Sequence, residues 1–405
     1  MRAATMRRLL LTLAAVLLLA WVVSWLASRH AMRFTLGRGD QLVAMDGVDG
    51  FAVREDDGLW RLFDAAARAP QDGVRLPAGL AGRPVLAPDG SAWSLVDGAL
   101  LRTAGARAGG ATVHVLPDGA LPAGARLAGL AAGETPVLAL PDVDGLTRLS
   151  VLLPAVPDGA PARVVELRDA LGPAALPAGA VESDVACTPA APVVALRTAR
   201  GWEAWSWDAA GAARRVLAEG CDQPGALFTP DGRALVVPGR VAGLWTLSLA
   251  DGRMAQMAEG NLGLSRRVPP SSAFRGGGEH RRLVAPQWNL DGWLQVYQTH
   301  LFGGGRYSFG LSFTHHYGLA LSADGRFMAY CQAAFDEASD APFEEDLFVV
   351  DFEESVTTVA VGARHGGQAQ QGPHFVGRGA SLVYLADGEV QRIEMLPPDP
   401  GAEEP

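Results

Sequence analysis

The run PGALFTPDGRALVVPGRVAGLWTLSLADGRMAQMAEG, residues 224–260, decides how the chain reads. With a period of two it divides into four short apolar segments, 225–229, 233–237, 244–249 and 253–257. Pro230-Asp231-Gly232 joins the first pair and Asp251-Gly252 the last. Asp-Gly supplies the positive φ that a tight hairpin needs, so the run predicts a four-stranded antiparallel meander. Such a meander cannot bury both of its faces alone. It needs copies of itself on either side, as in the blades of a β-propeller.

Those copies are present. Segments 41–45, 51–54, 59–63 and 74–76 form a first set, and 84–87, 92–96, 99–103 and 112–116 a second. The third is 126–130, 136–140, 146–153 and 163–167; the fourth is 184–188, 192–198, 202–207 and 214–217. Residues 224–260 are the fifth. A sixth (272–275, 282–286, 293–299, 306–313) and a seventh (318–322, 326–332, 346–352, 356–361) follow. The eighth has only three segments, 373–376, 381–385 and 389–395, and the short piece 33–36 is placed to supply its fourth by joining the two chain ends. Closure of that kind removes the exposed edges an open ring would leave. The expected fold is therefore all-β, a propeller of eight blades, with seven left open because the third and sixth sets are least regular. No long amphipathic helix is expected outside residues 9–27, and 64–69 is read as at most one helical turn or two. Trp60, Trp93, Trp205, Trp245 and Trp293 recur on or near third strands, where packing between blades is their expected role.

Ahead of the repeats, residues 9–27 (LLLTLAAVLLLAWVVSWLA) carry no charge. As a helix this length spans roughly 30 Å of hydrocarbon. Residues 1–30 are read as an uncleaved signal anchor, since Trp25 and Arg29 occupy the positions where a cleavage site needs small residues. A cleaved signal is the alternative. Arginines stand on both sides (Arg2, Arg7 and Arg8; Arg29, Arg33 and Arg38), so charge alone leaves the orientation open. The expected arrangement exports residues 31–396 to the periplasmic or extracytoplasmic side of the cell membrane. The tail 397–405 (PPDPGAEEP) is expected to be disordered.

All 34 basic residues are arginine, against 44 Asp and Glu, for a net charge of −10. A domain this acidic repels nucleic acid and anionic lipid surfaces, which argues against both as ligands. Cys187, Cys221 and Cys331 match no metal spacing. Cys187 and Cys221 either pair across neighbouring blades or, with Cys331, act as small buried hydrophobes.

The phrases LFTPDGRALVV…GLWTLSLADG (227–252) and LALSADGRFMAY…DLFVVDF (319–352) resemble the repeats of TolB-like, WD-type propeller proteins of the cell envelope. In those repeats a Ser-Pro-Asp-Gly or similar turn precedes an apolar strand and then an aromatic-rich one. The resemblance covers two blades well. It implies a propeller interaction domain of the envelope without naming a partner, and TolB-like rings usually have six blades, fewer than counted here.

In a four-stranded blade the second-to-third turns and the interblade linkers open on one face, and the Asp-Gly turns on the other. Long loops on a rigid ring make the first face the expected binding face. It gathers Arg266 and Arg267 from the fifth-to-sixth linker, His315 and His316 from THHYG, and Arg364 and His365 from the seventh-to-eighth linker. The loop AAFDEASDAPFEED adds Asp336, Glu337, Asp340, Glu344, Glu345 and Asp346. These twelve are candidate contacts for a protein or peptide partner. Adjacent histidines in extended chain point to opposite sides, so no metal site is read from His315 and His316. The acidic loop lacks the spacing of a helix-flanked calcium loop. No Gly-x-Ser-x-Gly, no His-Glu-x-x-His and no phosphate loop ending in Lys occurs, so no catalytic residue and no cofactor are assigned. The reading is a membrane-anchored interaction scaffold. The alternative is a channel-mouth enzyme of lyase, lactonase or hydrolase type acting on a sugar or small molecule.

Overall fold

A computed structural model describes residues 32–44, 48–142, 144–155, 162–177, 180, 184–239, 244–257, 273–275, 282–288, 294–300, 306–310, 315–322, 325–336, 341–352, 356–363, 371–377, 381–386 and 388–394. The membrane-spanning reading of residues 9–27 lies outside these. Among the described residues no helix is long and apolar enough to cross a membrane.

The deciding run folds as its turns dictate. Thr229 Oγ1 donates to Asp231 Oδ1 (2.7 Å) and accepts from the Ala234 amide (3.0 Å), while the Gly232 amide bonds the Thr229 carbonyl (2.7 Å). Gly232 sits at φ +64°, and a Cβ there would come within 2.6 Å of the Ala191 side chain, so the position requires glycine for two reasons. Strands Leu227–Phe228, Ala234–Pro238, Leu244–Ser248 and Met254–Gln256 pair in sequence order. Alternation then splits the side chains. Leu235, Val237 and Leu247 enter the core shared with the fourth sheet, whereas Val236 and Leu244 pack with Leu283 of the sixth.

The same plan repeats. Among the described residues there are seven four-stranded sheets, one five-stranded sheet and one two-stranded ribbon, all antiparallel in their pairing. The eighth sheet has the order in which Met32–Arg38 pairs with Glu389–Glu394, then Ser381–Ala386, then Gln371–Val376. The expected closure by the two chain ends is thus formed. Thr35 Oγ1 donates to Gln391 Oε1 at 3.2 Å across 356 residues of sequence.

Apolar clusters sit between consecutive sheets. One joins the eighth to the first (Phe51, Phe63, Val383), the next the first to the second (Leu62, Leu86), and another the second to the third (Leu100, Leu138). Others join the third to the fourth (Leu149, Trp205), the fourth to the fifth, and the seventh to the eighth (Phe327, Phe375). Each fully buried Leu or Phe contributes about 2 kcal/mol. This serial packing is what a propeller ring requires. Trp60, Trp93, Trp205 and Trp245 all pack in these clusters. Trp93, though, lies on a second strand, Ala92–Val96.

Three local expectations need correction. Residues 64–69 form the end of a strand and a turn, and the nearby helical turn is a 3-10 piece at Pro70–Asp72, where Asp72 Oδ2 accepts from the Arg68 and Ala69 amides. An unforeseen insertion lies between the third and fourth sheets: ribbon strands Arg168–Asp169 and Gly172–Pro173, then Ala175–Leu176, which pairs with Thr147–Arg148. It is held by Arg215, whose Nε lies 3.1 Å from Asp169 and whose guanidinium covers the Trp205 ring at 5.1 Å. Lastly, the acidic loop of the seventh sheet is mostly strand. Phe327–Asp336 and Ala341–Asp351 extend the hairpin through Asp336, Glu344, Glu345 and Asp346.

Candidate functional site: the central cavity and the linker face

First strands are innermost in this arrangement, and they enclose a cavity of about 860 Å³. Its walls come from Gln41–Ala44, Val85–Leu86, Arg126–Ala131, Val185–Cys187 and Gln371–Val376, the first strands of five sheets, with linker residues 80–84. The lining is almost wholly aliphatic. Among the described residues, Arg83, Arg126, Cys187 and His374 are its only side chains with a polar or ionisable group, and none of those lining it is a carboxylate. Arg83 and Arg126 belong to the linker end: Arg83 precedes its first strand and Arg126 begins one. Pro88 and Pro189 lie toward the Asp-Gly turn end.

The wall is tightly built. A Cβ on Gly129 would lie 2.5 Å from Cys187 Sγ, so glycine at a register shift lets the third sheet's inner strand meet the fourth's. Cys187 shows partial exposure because it faces the cavity, and burial pushes its thiol up to about 12. Cys221 is pushed up to about 11, by burial first and the Asp222 charge second. Both are free and sit in different apolar clusters, so the pairing reading is corrected and the small-hydrophobe reading holds for these two. Cys331 falls on a strand in register with Tyr317 and Leu347. Burial likewise holds the His374 imidazole below its ordinary 6.5.

A second concavity of about 380 Å³ opens beside the mouth, between Arg54, Trp60 and linker residues 77–83. It shares Leu80, Gly82 and Arg83 with the central cavity. Here Arg54 pairs with Asp40, and its guanidinium holds that carboxyl below the usual range. The linker face is pinned elsewhere by Arg197, which bonds Asp184 at 2.5 Å and the Asp222 carbonyl at 3.2 Å. Trp202 Nε1 donates to the Gln223 carbonyl at 2.8 Å. Linkers on this side are fastened to the linker-side ends of second strands, at Arg54 and Arg197, and of a third strand, at Trp202.

Of the twelve candidate contacts, Arg266, Arg267, Glu337, Asp340, Arg364 and His365 lie outside the described residues. His315 and His316, expected on a linker, begin the strand His315–Leu321. Backbone register aligns His316 with Gln332 and Asp346, and His315 with Ala333 and Glu345, one row apart at the linker-side end of the seventh sheet. Asp336 and Glu344 flank the same end. The cavity-lining Arg83, Arg126 and His374 were not anticipated; the available signal was a charge at the entry to a first strand.

No protein-family model matches the sequence, and no curated protein matches it. Among solved structures the chain is similar to the WD40 domain of SCAP from fission yeast, with a TM-score of 0.60 and 11% identity over 90% of this chain and 98% of that one. It is a β-propeller. At that identity the likeness shows the fold alone. Two more distant similarities are to the dihydro-heme d1 dehydrogenase NirN in complex with DHE (TM-score 0.42, 15% identity, 80% and 76% covered) and to the β-propeller domain of Cps50 (Swd1) from Myceliophteria thermophila (0.41, 11%, 90% and 100%).

Proposed function

We propose that this chain is an eight-bladed propeller held to the cell membrane by residues 9–27, and that its linker face binds a protein or peptide partner on the extracytoplasmic side. The observation that carries the reading is the shape of that face. The channel mouth and the 380 Å³ cleft both open there and share the 80–83 linker, so it offers connected concave surface on a rigid ring. The anchor rests on the uncharged 19-residue run, and the envelope setting on the TolB-like repeats. The count of eight rests on the eight sheets of four or more strands and their closure through Met32–Arg38.

The test uses the full chain in native membranes with a photo-crosslinking residue at Arg83 or, on the opposite face, at Arg233. A discrete protein adduct from position 83 and none from 233 is the expected result. Adducts from 233 alone, or from neither, overturn the choice of face. Sedimentation with membranes at alkaline pH, lost when Leu17 is changed to Arg, checks the anchor.

A further inference from the structure

We propose that the central cavity is a binding site for a small amphipathic anion, an apolar chain or ring ending in a single anionic group. This goes beyond the partner-binding face and does not depend on it.

Three observations converge. At about 860 Å³ the cavity falls within the roughly 300–1,000 Å³ typical of small-molecule sites. Its walls are aliphatic, from Leu42, Leu86, Leu127 and Leu130 among others, so a hydrated sugar would lose its hydrogen bonds on entry whereas an alkyl chain would lose none. Its charge runs against that of the chain. The protein carries net −10, yet among the described lining residues every formal charge is an arginine, Arg83 and Arg126, and there is no Asp or Glu. Arg126 forms no ion pair among the described residues, so its guanidinium is available at the linker-side mouth. Deeper in the ring, His374 offers a neutral imidazole with one N–H to donate. A ligand entering from the mouth would set its chain among the leucines and leave its anionic end at Arg126.

Cys187 gives a built-in reporter, since its thiol faces the cavity while Cys221 does not line it. The full chain, held in amphipathic polymer, is titrated calorimetrically with octanoate, octanol and octylammonium. The rate of Cys187 modification by methyl methanethiosulfonate is then followed by peptide mass mapping with each compound. Octanoate is expected to bind about tenfold tighter than the other two, and to slow labelling of Cys187 but not of Cys221. Arg126→Glu, at an exposed position that leaves the core intact, should weaken octanoate about tenfold, and Arg126→Lys far less. Ala128→Phe should block both binding and protection by filling the wall. No octanoate binding, equal binding of the three compounds, or binding without protection of Cys187 overturns the proposal. Because no partner is in the assay, its failure leaves the crosslinking result untouched.

Discussion

The fifth and eighth sheets have the same four-strand plan and opposite chain histories. The fifth is one continuous run in which turns of a few residues set every pairing. The eighth takes its last strand from the other end of the chain, so its ends must be brought together over some 350 residues, an entropic cost that rises with loop length. Each sheet is fastened where its cost lies. In the fifth the polar bonds cluster in the Thr229–Ala234 turn. In the eighth they cluster at the seam. Buried Arg392 donates to the Ala67 carbonyl (3.3 Å), to Glu394 (3.0 Å) and to Ser381 Oγ (2.8 Å), tying first sheet to last. Arg68 reaches the same Glu394 at 3.1 Å, and both guanidiniums lie 5.5 Å from the Phe34 ring on the closing strand. Local turn chemistry suffices for a contiguous blade, whereas a seam needs a shared, mostly desolvated network.

The sharpest way to break this comparison is to put a charge under each sheet. Leu36 and Leu235 are both buried. Leu36→Asp should cost about 4 kcal/mol or more, as should Leu235→Asp, since neither aspartate gains a cation. The outcomes should differ in kind. Limited proteolysis of the Leu36 variant should cut first near Gly39, releasing the closing strand while sheets two to five stay protected; the Leu235 variant should be cut within 224–257. Equal resistance of the Leu36 variant and the parent chain would show that the seam does not hold the ring. A smaller effect is expected from Arg392→Ala, about 3 kcal/mol in denaturant unfolding, because Glu394 and Ser381 lose a buried donor. Arg392→Met should cost less, since its unbranched chain fills the buried space that alanine leaves empty, while both variants keep the Arg68–Glu394 pair. If the two variants are equally destabilised, the whole loss belongs to the guanidinium's bonds; if Arg392→Met is as stable as the parent chain, the charge network adds nothing beyond packing.

Turn chemistry also explains why most of the fold was legible. Strands Ala92–Val96, Ala99–Thr103 and Thr112–Leu116 coincide with the apolar segments between turn signals, and 33–36 was legible as a closing strand because the eighth set lacked one. The insertion at 168–176 was not. Its residues RDALGPAAL have no alternation, and their pairing with Thr147–Arg148 is imposed by the third sheet and by Asp169–Arg215, neither of which a local pattern encodes. The cavity was hidden for a related reason. Period two says that residues alternate, not which ones face the channel, so Arg126 and His374 looked like ordinary strand residues. The legible part can be tested at its smallest unit. Thr229→Ala removes a hydroxyl that bonds both Asp231 and the Ala234 amide and should cost about 1–2 kcal/mol, whereas Thr229→Ser should cost about half or less of that. A cost near zero for Thr229→Ala would mean that Gly232 and the strands alone define the turn.

The finest difference between the two sheets concerns protons. The inner strand of the fifth, Leu227–Phe228, carries no ionisable group, while that of the eighth carries His374, whose pKa burial lowers below 6.5. Lowering means that the unfolded chain takes up this proton at a higher pH than the folded one. In the window from 6.5 down to the folded value the unfolded state binds more protons, so stability falls as pH falls through it. Above the window His374 is neutral in both states and the contribution is flat. The lining offers no carboxylate, among the described residues, to offset the charge. Melting temperatures measured between pH 7.5 and 5 should therefore drop more steeply for the parent chain than for His374→Gln, with the two curves parallel above neutrality. Parallel curves throughout would mean that the imidazole reaches water in the folded ring, and that the channel is wetter than its aliphatic walls imply.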